Sequence, residues 1–229
     1  MSRYGFNEFD SGRPLEPLRD LQTCVADEVA LVDCPKTNLV AGVDLSYLGK
    51  HATASLVVFD RSKRKIVSQI STTQAVSFPY ISTYLAYREL PVLLSVMDAA
   101  MKKGIEFDVI MVDGSGILHP RKAGVASFLG IATNRPTIGV IKKALIRAGV
   151  TKELEFGYPQ EIELEKNVCG YAMLPTRETG KPIFISSGHL IQPQQALDTV
   201  LDCFESHRMP EPIHHADRHS RQVANGQKR

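Results

Sequence analysis

Two short runs, VIMVD at 109–113 and TIGVI at 137–141, hold a single charge between them. A strand that is apolar on both sides of its pleat must be covered on both faces, so runs of this kind belong in a sheet packed between helices. The intervening segment agrees. A glycine-rich turn follows Asp113, and AGVASFLGIAT at 123–133 then reads as a helix. Strand, helix and strand in that order make a parallel pair joined by a crossover.

Upstream, LVAGVDLS (39–46), ATASLVVFD (52–60) and KIVSQIST (65–72) are strand-like runs joined by short polar connections, an antiparallel meander. A helical pattern precedes them, with Leu18, Leu21, Val25, Val29 and Val32 at three- and four-residue steps and Pro35 as its stop. Another helix starts near Thr83. Pro91 is expected to end a first helical piece or to open a second. Charges alternating with apolar residues in TKELEFG and EIELEKN predict an exposed hairpin. VCGYAMLP and PIFISSGH predict two further strands, and residues 193–206 a last helix. The expected fold is one α/β domain over residues 1–229. Its mixed central sheet has three antiparallel strands, then parallel ones, and is flanked by helices. Residues 1–14 read as a loose arm and 222–229 as a disordered tail. A chain of 229 residues can bury its core without staples.

The net charge of +2 selects no partner by itself. Four cysteines without a CxxC pair argue for reduced thiols rather than a disulfide framework or zinc knuckle. The N-terminus has no apolar h-region, and no run approaches the ~18 apolar residues of a membrane span. These features predict a soluble, cytoplasmic protein.

Asp44 and Asp113 are the lone charges of their strands. A buried carboxylate there costs several kcal/mol unless it is paired, metal-bound or exposed at the strand end. Sheets of this class collect ligands at strand carboxyl ends. Two such acids suit a hard divalent cation, although Asp44 could face solvent in an alternating strand and Asp113 could cap a turn. Glu89 is a candidate third acid or a solvated helix residue. His119, Arg121 and Lys122 follow the Asp113 turn, and Lys142 and Lys143 end the next strand, where cations would meet a polyanion. Tyr80, between Pro79 and Ile81, could stack on bases or simply pack in a turn.

VAGVDLSY, PYISTYLAYRELP, DVIMVDGSGILHPRKAGVASFLG, TIGVIKKAL, PIFISSGHLI and MPEPIHHAD together resemble endonuclease V, the deoxyinosine-specific nuclease family, over about residues 15–220. The resemblance implies an RNase H-like fold and a Mg²⁺ site that accepts Mn²⁺. It implies Asp44, Asp113, Glu89 and Asp217 as metal acids and Lys142 as the catalytic-site lysine. It also implies Pro79, Tyr80 and Ile81 as the wedge that fills the gap of a displaced base. Gly114 and Gly116 are expected in the base pocket, and His119, Arg121 and Lys122 at the phosphates. The implied reaction cuts the second phosphodiester 3′ to deoxyinosine in DNA, leaving 3′-hydroxyl and 5′-phosphate ends, by a protein expected as a monomer. Ser82 stands where the family's wedge carries a second proline, which loosens the loop. Ser115 stands where His or Asn is familiar. Inosine in single-stranded RNA is the alternative substrate. A non-catalytic nucleic-acid binder and a small-nucleotide hydrolase are the other readings.

Overall fold

The two apolar runs are adjacent strands in the centre of one sheet. A computed structural model of the chain describes residues 15–146, 154–164, 166–177 and 180–226. In chain order the elements are α1 (Glu16–Glu28), β1 (Leu39–Leu48), β2 (His51–Asp60), β3 (Lys65–Ala75), α2 (Leu85–Lys102), β4 (Val109–Asp113), α3 (Val125–Thr133) and β5 (Thr137–Ile141). They continue with β6 (Gln160–Leu164), β7 (Asn167–Met173), β8 (Ile183–His189), α4 (Pro193–Leu201) and α5 (Glu211–Gly226). Eight strands form a single sheet in the order β3-β2-β1-β4-β5-β8-β7-β6. The meander β1–β3 is antiparallel, and β1, β4 and β5 are mutually parallel. The remaining three strands continue antiparallel from β5. The mixed sheet of the sequence reading is thus present.

Each face of the sheet carries its own core. Ala41, Val43, Leu56, Ile110 and Val112 pack with α2 and α3 residues such as Leu93, Val96 and Phe128. Val40, Met111, Ile138 and Ile185 pack on the other face with Leu197 and Val200 of α4 and Ile213 of α5. The alternation along β1 and β4 is therefore a division between two apolar layers, not between core and water.

Four expectations are corrected. The first helix ends at Glu28, not at Pro35, because Val29 is already extended (φ −64°, ψ 118°), and Leu21 and Val32 are exposed. α2 runs straight through Pro91, which occupies an exposed position where loss of one backbone hydrogen bond leaves packing untouched. Residues 193–206 do not end the fold. α4 stops at Leu201, and α5 follows, continuing to Gly226 across most of the expected tail. The exposed hairpin pairs EIEL with the following strand, β6 with β7, rather than with TKELEFG. Residues 1–14, 151–153 and 227–229, on which parts of those expectations fall, lie outside the described residues.

Candidate active site at the carboxyl edge of the central strands

Val43 of β1 lies beside Val112 of β4 in a parallel register. The next residue on each strand is an acid, so the register sets Asp44 and Asp113 side by side at one edge of the sheet. Side chains alternate along β1. Ala41 and Val43 face α2, whereas Gly42 and Asp44 face α5. At Gly42 the helix comes so close that a Cβ would stand 2.1 Å from the Pro212 carbonyl carbon. That contact seats α5 so that Asp217, five residues on, lies close enough to Asp44 to raise its pKa. From the opposite face α2 brings Glu89, which is 8% exposed.

The electrostatics of this edge are crowded. Burial pushes the Asp44 carboxyl up to about 8, and the like charges of Asp113 and Asp217 add to the rise. Burial likewise raises Glu89 to about 7, with Asp113 contributing. Opposing this, the Tyr47 hydroxyl donates to Glu89 Oε1 at 3.1 Å, and the Arg88 guanidinium lies 4.5 Å over the Tyr47 ring. Lys142, one residue past β5, places Nζ 2.6 Å from Asp113 Oδ2. The site is a set of hard oxygen donors held together against their own repulsion, with one ammonium countering it. Such a donor set fits a divalent cation with several water ligands. Among the described residues no three His, Cys, Asp or Glu side chains are close enough to hold a metal as they stand. Asp113 is turned toward Lys142 and Glu89 toward Tyr47.

Beside the acids lies a cavity of about 260 Å³. Its walls include Tyr80, Ser82, Gly114, Val125, Lys142 and Leu145, and Asp113 opens into it. Tyr80 is 64% exposed at its rim. The rest of the expected wedge behaves differently. Pro79 is half-buried, and Ile81 is buried against Leu15 and Tyr84, so it anchors the loop rather than meeting a ligand.

Gly114 lines the cavity, but Gly116 does not. A Cβ there would stand 2.0 Å from the Ser187 carbonyl oxygen, so this glycine admits β8, not a nucleotide. His119 also lines the cavity, but its polar atoms and those of Arg121 are engaged within the protein. His119 is 3% exposed. Its Nε2–H donates to the Thr83 carbonyl at 3.0 Å, and its Nδ1 accepts from the Arg121 N–H at 3.2 Å. Arg121 Nη2 donates to the Thr83 carbonyl (3.0 Å) and hydroxyl (2.7 Å), while Gln22 Nε2 of α1 donates to the same carbonyl at 2.8 Å. Thr83 needs these bonds. It is β-branched yet sits at φ +67°, a conformation that costs energy. The HPR segment is therefore a clamp between the Tyr80 loop and the start of α2. Lys122 is half-buried in the turn that follows, its N–H bonded to the His119 carbonyl at 2.9 Å.

Gln22 and Thr83 carry no sequence signal that marks them as site residues, and Tyr47 only the indirect one of lying three residues past Asp44. His189 is a satisfied structural histidine, accepting from the Ala30 N–H. On α5, buried Glu211 pairs with His207 (2.7 Å) and His215 (3.2 Å).

The Endonuclease V family model matches residues 23–218. Endonuclease V of Archaeoglobus fulgidus is 34% identical over 214 residues, which cover 91% of this chain and 93% of that protein. The catalytic domain of human endonuclease V superposes with a TM-score of 0.84 at 30% identity, covering 93% of this chain and 98% of that one. Endonuclease V of Ciona intestinalis, solved with a 23mer DNA containing an inosine followed by a ribo-adenosine, superposes with a TM-score of 0.83 at 30% identity over 94% of this chain and 99% of that one. The match runs from α1 through the Asp217 segment of α5, takes in every acid at the strand edge, and extends to the whole sheet: this chain belongs to the endonuclease V family.

Proposed function

We propose that this endonuclease recognises deoxyinosine in DNA and hydrolyses the second phosphodiester on its 3′ side, leaving 3′-hydroxyl and 5′-phosphate ends, with Mg²⁺ or Mn²⁺ as cofactor. The observation that carries this reading is the convergence of Asp44, Asp113, Glu89 and Asp217 beside a cavity rimmed by Tyr80. The complex of the Ciona relative with inosine-containing DNA supports the substrate.

Asp44 and Asp113 would hold the cation from the strand edge, Glu89 from α2 and Asp217 from α5. What such a cation supplies when bound is charge neutralisation at the phosphate and a water of lowered pKa. Lys142 has a second task. Its ammonium, 2.6 Å from Asp113, is close enough to swing to a phosphate oxygen and offset charge that builds there during cleavage. Tyr80 stands where a displaced base leaves a gap in the stack. The apolar wall of Val125 and Leu145, with Gly114 beside it, receives the extruded base, whose removal from the stack costs a few kcal/mol.

The test uses end-labelled DNA and RNA strands, each with and without one inosine, incubated with Mg²⁺, Mn²⁺ or EDTA. A metal-dependent cut one nucleotide beyond inosine in DNA is expected. Retained binding with no cut in any strand would refute the catalytic reading, and a cut confined to RNA would refute the DNA substrate.

A further inference from the structure

Two large aromatic rings stand in solvent in one short turn at the active edge of the sheet. Tyr158 is 70% exposed and Phe156 42%. The turn is closed by the Tyr158 N–H to the Glu155 carbonyl at 3.3 Å, with Gly157 at φ +84°. It is fixed to the sheet by a bridge between Phe156 and Leu174, just past β7. The Arg177 guanidinium stacks over the Phe156 ring, 5.1 Å from its centre. Neither the acids nor the base cavity uses these residues.

Their place follows from the strand register. Met173 of β7 pairs with Ile183 of β8, and Phe184 of β8 pairs with Ile141 of β5. Lys142 is the next residue. The turn therefore sits on the same sheet edge as Asp113 and Lys142, about 14 Å from Lys142 and about 19 Å from Asp113 at the usual spacing between strands. Lys143, Arg177 and Lys181 are exposed along this end, and against them the turn itself sets Glu155. A cationic edge that leads from a phosphate-cutting site to two exposed rings, one of them capped on one face by a guanidinium, has the composition of a single-strand binding track. Phosphates follow the cations, and unpaired bases lie on the π-faces. A paired base offers no free face, so a duplex cannot use the rings in this way.

Building on the proposed nucleic-acid substrate, we infer that Phe156, Tyr158 and Arg177 form a stacking platform for unpaired bases flanking the cleavage site, a subsite separate from the inosine cavity. The platform makes the enzyme bind frayed or single-stranded lesion sites more tightly than intact duplex.

The test compares wild type with F156A/Y158A, F156L/Y158L and F156Y/Y158F. Fluorescence anisotropy gives the Kd in EDTA for an inosine-free single strand, an inosine single strand and an inosine duplex. Sedimentation reports self-association, and thermal unfolding reports the fold. F156A/Y158A should weaken both single strands roughly 5- to 100-fold, the loss of stacking under one base, and leave the duplex within about twofold. F156L/Y158L keeps apolar bulk but loses the π-face, so it should behave like the alanine pair, whereas F156Y/Y158F should bind as wild type. Trimming the strand from one end should erase the difference and reveal the polarity of the track. Unchanged single-strand binding in the folded variants, or equal loss on duplex, overturns the platform. So does a change in self-association without a change in binding, which would assign the rings to a second copy. The inosine-free strand keeps the result independent of catalysis: if cleavage fails everywhere, the binding difference still decides the platform.

Discussion

At the residue scale, the candidate site is a balance between repulsion and the few groups that restrain it. Asp44, Asp113, Glu89 and Asp217 repel one another in a partly dry setting, and Lys142 and Tyr47 are the near neighbours that counter them. Asp113 is the one acid whose charge reaches both Asp44 and Glu89. Asp113→Asn should therefore abolish cleavage of an inosine strand while Kd in EDTA changes by less than about threefold. Turnover at the wild-type rate would remove Asp113 from the chemistry. Tyr47→Phe tests the restraint itself. The variant loses the bond that orients Glu89 but keeps the ring under Arg88. Groups that orient a metal ligand typically contribute 10- to 100-fold in metal affinity or activity. The concentration of Mg²⁺ needed for half-maximal cleavage should rise by about that factor, with maximal rate at saturating Mg²⁺ largely restored. An unshifted Mg²⁺ titration would mean that packing alone holds Glu89 in place. Asp44 and Asp113 were legible as candidates because a lone charge at the end of an apolar strand is conspicuous; Glu89, an ordinary helix acid by itself, entered the metal set through the family resemblance. Tyr47 was not, because a tyrosine in a strand is ordinary.

At the element scale, the HPR clamp joins four pieces of chain: α1 through Gln22, the Tyr80 loop through Thr83, the start of α2 through Tyr84, and the turn after β4. Arg121 completes it by stacking 4.6 Å over the Tyr84 ring. The sequence shows the cations but not their direction. Arg and His near a glycine turn suit phosphate contact and backbone bracing equally, and only the position of the Thr83 carbonyl separates the two. The clamp has a pH signature. Burial lowers His119 from its ordinary 6.5 to about 4, helped by the neighbouring Arg121 charge. Between those values the unfolded chain binds a proton that the folded chain refuses, so stability falls as pH falls from 6.5 toward 4. The two bonds of the neutral ring agree, since a protonated Nδ1 would meet the Arg121 N–H donor to donor. Its contribution to the acid loss is on the order of 3 kcal/mol, at 1.36 kcal/mol per pKa unit. Denaturant unfolding of wild type and His119→Gln at pH 7.5, 6 and 4.5 should show the variant less stable at the highest pH, with the gap closing toward the lowest. A constant gap would assign the acid loss to other groups.

At the scale of the whole molecule, the sheet and its two covered faces followed from pattern, and the last helix did not. HHADRHSRQ is polar, with few apolar residues to mark a buried stripe. α5 is held instead by backbone contact at Gly42 and by Ile213, Ala216 and Ala224, small or single anchors that a periodicity reading passes over. That helix closes the second face over β1 and β2 and also delivers Asp217, so fold and function share one element. They can be separated. Asp217→Asn removes a carboxylate that repels Asp44, and the Arg221 bond it loses is an exposed pair of little weight. The variant should fold with a Tm equal to or above that of the wild type while losing cleavage, the trade expected where catalytic charges are crowded. Ending the chain at residue 210 should do something different. It bares the apolar face at Val40, Phe59 and Met111, removes the Ile213 contact, and should yield aggregated protein without a cooperative thermal transition. If the shortened chain unfolded cooperatively near the wild-type Tm, α5 would be a carrier of Asp217 alone, and the second core would have to close without it.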